Sequence, residues 1–419
     1  MTKKSDAPAI RFKGFSDAWE QRKLGELVDR VVRKNTNNES TLPLTISAQY
    51  GLVDQITYFN NRVASRDVSN YYLVLNGEFA YNKSTSDGYP FGAVKRLDLY
   101  EKGVLSTLYI VFAPKKEQQI DSDYLTVFFD TDRWHKGVAE RAAEGARNHG
   151  LLNISAEDFF DIDLSVPKDI VEQKQIGAFI RQLDSLITLH QRKFEKLTNV
   201  KKSMLEKMFP QNGSSYPEIR FKGFTDPWEQ RKLGEMMNVT SVKRIHQSDW
   251  TDSGVRFLRA RDIVAAAKNE EPDDYLYISK EKYEEYSALS GKVGVSDLLV
   301  TGVGTIGVPY LVRNLEPLYF KDGNIIWFQN SGKIDGKFLF YSFSAEQIQG
   351  FINESAGIGT VGTYTIESGK KTPISLPNQI EQARVGEFFQ QLDNLITLHQ
   401  RELEMLQNIK KSMLEKMFV

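Results

Sequence analysis

The sequence predicts an α+β protein, with two mixed α/β domains separated by two long antiparallel coiled-coil helices and related by pseudo-two-fold symmetry. A 38-residue block at 172–209 returns at 381–418 with 26 identical positions, 209 residues further along the chain. A second block, Ile10–Glu26, returns with the same offset at Ile219–Glu235, with 15 of 17 positions identical. The two inserts between these blocks show no similarity. The chain is therefore predicted to be a tandem duplication with two constant frames and two unlike inserts.

The two 38-residue blocks are predicted to be the long helices. Neither copy contains proline. In each copy, mostly apolar residues recur at alternating steps of four and three over several heptads, and these a and d positions form the seam of a coiled coil. A helix of this length spans about 57 Å, which is too long without a partner, so the other copy is the expected partner. Gly177 and Gly386 would permit close approach of the two. The seam of the first copy consists of Ile176, Ile180, Leu183, Ile187, His190, Phe194, Leu197, Lys201, Met204 and Met208.

Two seam positions in each copy are polar. His190 and Lys201, with their repeats His399 and Lys410, either fix the register of the pair or lie where it opens to solvent. A metal site at the histidines is not expected, because the sequence supplies no clustered ligands nearby. The apolar stripe is wider than a two-helix coil needs, so either a partner subunit docks on it or the inserts cover it. Its additional residues are Phe179, Leu186, Leu189, Phe388, Leu395 and Leu398.

The segments before each long helix are predicted to mix strands and short helices. In the repeated leading block, Asp17 would cap a helical turn near Trp19. Its basic residues could touch phosphate but are rather expected on a solvated face; they are Arg11, Lys13, Arg22 and Lys23. The first insert is expected to contain strands and a helix or two, with a tight turn at Asn76–Gly77; these elements are Phe79–Tyr81, Leu105–Phe112, Ile162–Val166 and Ser122–Glu144. After a linker at Pro210–Pro217, the second insert is expected to have strands at Val255–Arg261, Leu298–Val300 and Ile325–Phe328.

Motifs that would indicate catalysis or cofactor binding are missing. Two GxGxxG strings, at 302–307 and 357–362, do not predict a dinucleotide site, because no helix is expected to open directly from the third glycine. There is no Walker A, H-E-x-x-H or G-x-S-x-G motif. The five histidines show no metal-binding spacing, and the lack of cysteine excludes disulfides and thiolate metal sites.

Length and charge set only broad limits. A chain of 419 residues can hold two or more domains. Its net charge of −1 argues neither for nor against nucleic-acid binding. No apolar run reaches membrane-spanning length and no signal-peptide pattern is present. A soluble, cytoplasmic protein is therefore expected.

The duplication suggests a way to bind DNA. If the helices pair antiparallel, two variable domains related by a pseudo-two-fold axis could straddle a duplex, with one domain on each half-site. Four loops, at 82–89, 144–150, 301–310 and 355–365, combine glycine with hydroxyl, amide, phenol or cationic side chains. Such groups hydrogen-bond base edges and phosphates, although they are also common in any surface loop.

The whole chain resembles the specificity subunit of type I restriction-modification enzymes. In that family, two variable target-recognition domains alternate with two repeated regions. The leading blocks end in Lys-Leu-Gly-Glu, at 23–26 and 232–235, like the starts of the family's domains. Each domain closes with a strand, a proline and a Glu-Gln pair before the long helix. Here these are Leu164–Pro167 with Glu172 and Gln173, and Ile374–Pro377 with Glu381 and Gln382.

The resemblance implies a non-catalytic subunit that reads double-stranded DNA. Two modification subunits carrying S-adenosylmethionine would dock on the repeated helices and methylate adenine. Restriction subunits, bringing ATP hydrolysis and Mg-dependent cleavage, would join that core. No cofactor or metal is expected on this chain, and no membrane partner. The implied segments are a leading block with the first recognition domain, a central spacer helix, a linker with the second recognition domain, and a C-terminal spacer helix, at 1–171, 172–209, 210–380 and 381–419.

Candidate base-reading residues follow from their position in loops or beside them. In the first insert they are Lys83, Ser84, Thr85, Ser86, Tyr89, Arg147, Asn148 and His149. In the second insert they are Arg259, Arg261, Thr301, Thr305, Tyr310, Thr360, Thr363 and Tyr364. Two alternatives remain open: a coiled-coil adaptor that does not bind DNA, and an enzyme such as a fused nuclease. Salt-dependent DNA affinity would exclude the first, and inactivity of the isolated chain with magnesium would exclude the second.

Overall fold

Two compact units make up the chain. The computed structural model describes residues 7–47, 50–86, 88–142, 152–211, 213–272, 274–356 and 362–419. The first unit comprises residues 1–189 and 403–419, and the second comprises residues 190–402. Both long helices are therefore shared between units, whereas the predicted segment boundaries follow the sequence repeat and stay a prediction. No helix in the described part of the chain is long and apolar enough to span a membrane.

In the described residues, the first insert and its flanks form ten strands and five short helices before the first long helix, α6. In chain order the elements are β1 Glu20–Lys23, α1 Leu24–Leu27, β2 Val28–Arg30, β3 Leu44–Ser47, β4 Gly51–Asp54, α2 Gln55–Phe59, β5 Tyr72–Leu75, β6 Phe79–Asn82, β7 Ala93–Arg96, β8 Lys102–Leu105, β9 Ile110–Pro114, α3 Ser122–Phe129, α4 His135–Arg141, α5 Ala156–Phe160, β10 Asp163–Val166 and α6 Ile170–Lys207.

The second insert and its flanks repeat much of this order and end in the second long helix, α13. The elements are β11 Glu229–Lys232, α7 Leu233–Met236, β12 Asn238–Thr240, β13 Trp250–Thr251, β14 Val255–Leu258, α8 Ala260–Ala267, β15 Leu276–Ile278, α9 Lys280–Ser290, β16 Leu298–Thr301, β17 Pro309–Leu311, β18 Leu318–Phe320, β19 Ile325–Gln329, α10 Gly336–Ser342, α11 Glu346–Ser355, α12 Ile366–Lys371, β20 Pro373–Leu376 and α13 Gln379–Lys416.

The two unlike inserts share one sheet topology. An antiparallel sheet has the order β2-β9-β6-β7 in the first unit and β12-β19-β16-β17 in the second. The strand of each leading block pairs with the strand that closes its domain, β1 with β10 and β11 with β20. The remaining strands differ, since the first unit has two two-stranded sheets and the second has a four-stranded sheet, β13-β15-β14-β18. The two units therefore share one four-stranded sheet and one strand pair, and they differ in their other strands.

The long helices run antiparallel within the second unit. His190 of α6 lies opposite Glu402 of α13, and Lys201 lies opposite Asp393, so residue numbers rise in one helix as they fall in the other. In the first unit, Lys410 of α13 pairs with Asp184 of α6. The pairs Lys201–Asp393 and Lys410–Asp184, both 2.6 Å long, are the same contact at repeat-equivalent positions. These ion pairs favour a register-fixing role for the seam lysines over a solvent opening.

The residues just after each long helix pack into a domain core. Those after α13 pack into the first unit, where α6 begins, and those after α6 pack into the second unit, where α13 begins. Phe418, 3% exposed, stacks on Tyr124 with ring centroids 5.6 Å apart and meets Trp19 edge to face at 6.2 Å. In the second unit, Phe209 meets Trp228 in the same way at 6.0 Å and stacks on Phe389. The residues that follow the long helices therefore contribute to two domain cores.

Most of the predicted elements are confirmed. Strands form at β6, β10, β16 and β19, and the described part of the region predicted to be helical, 122–142, contains two helices, α3 and α4. Three predictions are wrong. The run Leu105–Phe112 is split by a turn in which Tyr109 N bonds to the carbonyl of Ser106. The strand from Val255 stops at Leu258, because Arg259 caps a helix. No helical turn begins near Trp19, since its neighbour Glu20 already belongs to β1.

The predicted fold class is confirmed. Two mixed α/β domains are joined to two long helices, these helices pair antiparallel, and equivalent contacts recur at the repeat offset in both units. The first GxGxxG string leads into strand β17 and not into a helix, as expected. The second string lies largely outside the described residues.

Candidate nucleic-acid interface

The Glu-Gln pair at the start of each long helix joins the leading block, the closing strand and a short helix of the domain. Glu172 forms a bidentate ion pair with Arg11, at 2.6 and 2.8 Å, and Glu172 is only 1% exposed. Gln173 accepts from Asp121 N at 2.8 Å and donates to the carbonyl of Pro167 at 2.8 Å. One helix turn thus fixes the leading block, the closing strand and helix α3. The expectation that Arg11 is solvated is wrong, because its guanidinium is committed to this pair.

The second unit repeats this anchor. Arg220 bonds to Glu381 through two contacts of 2.7 Å, and Gln382 accepts from Asp335 N at 3.0 Å while donating to the carbonyl of Pro377. The hydrogen bonds that Arg11 and Arg220 donate to Glu172 and Glu381 raise the pKa of the two arginines. The buried carboxylates are thereby compensated, as buried charges require.

The two helix glycines lie against short helices of the two α/β domains. A Cβ on Gly177 would lie 2.8 Å from the backbone nitrogen of Tyr124, in the first turn of α3. A Cβ on Gly386 would lie 2.8 Å from Phe338 N in α10. The predicted close approach of the two long helices at these glycines is therefore wrong. Each glycine instead lets a long helix contact the first turn of a domain helix.

In the first unit, the loop after β6 is joined to the segment before α5. Leu152 N donates to the carbonyl of Lys83 at 3.0 Å, and the Lys83 ammonium donates to the carbonyl of Ile154 at 3.3 Å. The loop returns to β7 through Gly92, whose φ is +77° and whose added Cβ would lie 2.1 Å from the carbonyl oxygen of Asn82. A side chain is therefore not tolerated there without a change of backbone.

The second unit builds the same pair of segments at the equivalent place. The loop after β16 is joined to the segment before α12, since Tyr364 N donates to the carbonyl of Gly302 at 2.9 Å. A Cβ on Gly302 would lie 2.6 Å from the carbonyl oxygen of Tyr364. Because β6 and β16 hold the same place in their sheets, the two inserts place one loop pair each at corresponding positions.

Five candidate residues of these loop pairs are exposed. In the first unit they are Ser84, Ser86 and Tyr89, and in the second they are Thr305 and Thr363. Thr85 is half-buried, and Lys83 is half-buried with its ammonium bonded to the main chain. Tyr310 is half-buried on strand β17, opposite Leu299, and not in the loop. Four candidates lie outside the described residues: Arg147, Asn148, His149 and Thr360.

Two candidates of the second unit are core residues, which corrects their assignment as base readers. Thr301 is fully buried, and its hydroxyl donates to the carbonyl of Thr305 and accepts from Val308 N at 2.9 Å. Tyr364 is 2% exposed, and its hydroxyl bonds to that of Thr372. Burial raises the pKa of Tyr364 far above its ordinary value. Both residues support the loops through buried hydrogen bonds.

Arg259 and Arg261 are also placed differently from the prediction. Arg259 precedes helix α8, and its guanidinium bonds to the carboxylates of Asp262 and Asp274. Arg261 lies in α8 and contacts the same Asp274. The hydrogen bond from Arg259 lowers the pKa of Asp274. The Arg259 side chain is 14% exposed, and its guanidinium is paired with the carboxylates of Asp262 and Asp274.

The predicted docking stripe is partly covered. Phe179 packs edge to face on Phe12 with centroids 5.9 Å apart, and Phe388 packs in the same way on Phe221. Hence the leading blocks contribute to covering the two phenylalanines, which also pack against the domain cores. The four leucines of the stripe remain 38–49% exposed: Leu186, Leu189, Leu395 and Leu398.

A cluster of possible metal ligands lies in the helix pair, where none is predicted from the sequence. His190 of α6 and His399 of α13 are in contact, with Glu402 beside both. The expectation that no ligands cluster near the histidines is wrong. Periodicity places each histidine on a seam, but the cluster needs the pairing of helices that are 209 residues apart in sequence.

Comparison with known proteins identifies the family. The model of the type I restriction modification DNA specificity domain matches residues 17–199 and again 225–408. A type I restriction enzyme specificity subunit, MjaVIII, of Methanocaldococcus jannaschii is 26% identical over 377 residues, covering 85% of this chain and 82% of the relative. The crystal structure of a type I restriction-modification S subunit from M. genitalium has the same fold, with a TM-score of 0.59, 14% identity and 99% of each chain covered. The chain belongs to the family of type I restriction-modification DNA specificity subunits.

Proposed function

We propose that this chain is the non-catalytic subunit that reads a bipartite, asymmetric DNA site. One observation carries the proposal: two inserts without sequence similarity present equivalent loop pairs from equivalent sheets. A common frame with different loop residues is what two half-sites of different sequence require. Exposed hydroxyl and phenol groups in these loops, such as Ser84, Tyr89 and Thr363, are suited to base edges and phosphates.

The helix pair would set the distance between the half-sites and dock the catalytic partners. Two modification subunits would bind the exposed leucines of the stripe and bring S-adenosylmethionine for adenine methylation. Restriction subunits would add ATP hydrolysis and Mg-dependent cleavage. The repeat supports this stoichiometry of two, because each long helix presents the same Leu-x-x-Leu pair, 186/189 and 395/398.

The proposal is tested by mapping methylated adenines in DNA exposed to the chain together with its neighbouring methyltransferase subunit. The expected result is a two-part motif with a fixed gap. Replacing residues 27–171 by an unrelated insert should change one part and leave the other and the gap unchanged. A change in both parts would contradict modular reading. Subunit assembly without methylation and without salt-dependent DNA affinity would favour the adaptor alternative.

A further inference from the structure

The middle of the helix pair contains three ligand-type side chains that converge. His190 lies on α6, while His399 and Glu402 lie on α13 with the i, i+3 spacing that places them on one helix face. All three belong to the second unit. The histidine side chains are 16% and 14% exposed and Glu402 is 35% exposed, so the cluster is largely shielded from water.

The donor atoms form a nearly equilateral triangle. The two histidine Nδ1 atoms are 3.1 Å apart, and Oε2 of Glu402 lies 2.9 Å from Nδ1 of His190 and 3.3 Å from Nδ1 of His399. With metal–ligand bonds of about 2.0–2.1 Å, two donors lie roughly 3.3 Å apart in a tetrahedral site and about 2.9 Å apart on one face of an octahedral site. All three separations fall in this range.

Hydrogen bonding does not account for this geometry. A single proton between the two Nδ1 atoms would satisfy that pair alone. Glu402 Oε2 is buried and makes no hydrogen bond within the described part of the chain, although it is close to two imidazoles. A buried carboxylate oxygen that makes no hydrogen bond is costly. A cation facing the triangle would interact with all three lone pairs at once.

The repeat shows that the cluster is not symmetric. Both histidines occur at equivalent positions, but the equivalent of Glu402 is Lys193, which is exposed. The cluster therefore supplies three protein ligands on one side of a single ion, whose remaining coordination positions would be filled by water.

We propose that His190, His399 and Glu402 bind one divalent transition-metal ion of the zinc type, which pins α6 to α13. Two imidazole nitrogens and one carboxylate form a ligand set typical of Zn²⁺, whereas Ca²⁺ and Mg²⁺ take oxygen ligands. Because the ligands come from two helices, the ion stabilises their pairing in this register by mass action on the folded state.

Titration of the full-length, EDTA-treated chain with ZnCl₂ tests the site, with thermal unfolding and the visible absorption of bound Co²⁺ as further measurements. We expect one Zn²⁺ per chain and a higher Tm with the metal. Glu402→Gln should weaken binding by more than about tenfold. Glu404→Gln, the same change two residues along α13, is the matched control and should leave binding unchanged.

A second variant covers the case in which Glu402→Gln fails to fold. Glu402→Lys introduces the residue that the first repeat carries at position 193, and it should abolish binding of Zn²⁺ and the Co²⁺ spectrum. Absence of stoichiometric binding to the unaltered chain, or equal affinity in the Glu402 variants and the Glu404→Gln control, would overturn the proposal. DNA methylation is not part of this test, so its outcome is separate from that of the proposed DNA-reading role.

Discussion

At the residue scale, the loop candidates divide into readers and supports. Thr363 and Tyr364 are neighbours in sequence, yet Thr363 is exposed and Tyr364 is 2% exposed with its hydroxyl bonded to Thr372. A loop rich in glycine and threonine indicates a surface segment but does not say which side chain turns inward. Tertiary packing decides that, which is why the sequence alone misplaces Tyr364 and Thr301.

This division gives a prediction for neighbouring substitutions. Tyr364→Phe removes one buried hydrogen bond and should cost about 1 kcal/mol of stability, leaving the methylated motif unchanged. Thr363→Ala should leave stability unchanged and relax base preference in one half-site, since a direct base contact contributes about 1–3 kcal/mol. Urea unfolding and methylation mapping separate the two effects. A motif altered by Tyr364→Phe alone would contradict the assignment.

The helix glycines allow a second residue-scale prediction. Alanine normally favours a helix over glycine by about 1 kcal/mol, but a Cβ at 177 would lie 2.8 Å from the backbone nitrogen of Tyr124. Gly177→Ala should therefore destabilise the first unit by about 1–3 kcal/mol. Gly350→Ala in α11 is the control, because the nearest atom to its new Cβ would be the Glu346 Oε1 at 3.9 Å. It should be neutral or stabilising in the same urea titration.

At the scale of elements, the strongly patterned segments are predictable and their partners are not. The duplicated blocks and the seam give the two long helices directly, and β6, β16 and β19 follow from apolar runs. The turn at Ser106–Tyr109 is hidden in a continuous apolar and hydroxyl run. The contacts of the helix ends are invisible in a single helix pattern, because they depend on which domain each tip reaches.

The helix tips therefore give an element-scale prediction. Phe418→Ala should destabilise the first unit by about 3–5 kcal/mol, since it empties a position between Trp19 and Tyr124. Hydrogen exchange should rise in α3 and β6 and not in the second unit. Met405→Ala, at a 55% exposed position of helix α13, is the control and should be neutral. Equal effects of the two substitutions would refute a core role for Phe418.

At the scale of the whole molecule, the duplication predicts the repeated leading blocks and long helices but not the structure of the two inserts. Unlike sequences on one sheet topology could not be aligned, so their equivalence emerges only from the strand order. The candidate site was predictable as loops of this frame but not at the level of individual contacts. The anchoring role of Glu172 and Glu381 required the ion pairs to arginines 161 residues away.

The docking proposal is tested at this scale. Replacing both Leu186 and Leu189 by Glu adds charge to an exposed apolar pair and should reduce bound modification subunits from two to one per chain, counted by native mass spectrometry. The same change at Leu395 and Leu398 should give the same loss, and all four changes should remove both subunits. Leu315→Glu, at an 85% exposed position, is the control. Unchanged stoichiometry in both double variants would refute docking on this stripe.

The division of the helices also has a consequence for the order of synthesis. Residues 190–402 form one continuous unit and leave the ribosome as a complete folding unit. The first unit needs residues 403–419, including Phe418, to finish its core. The unit that begins to be translated first must therefore wait for residues 403–419. Until then, the aromatic core around Trp19 and Tyr124 lacks its contacts with Phe418. We therefore expect the first unit to be the one that requires chaperone protection.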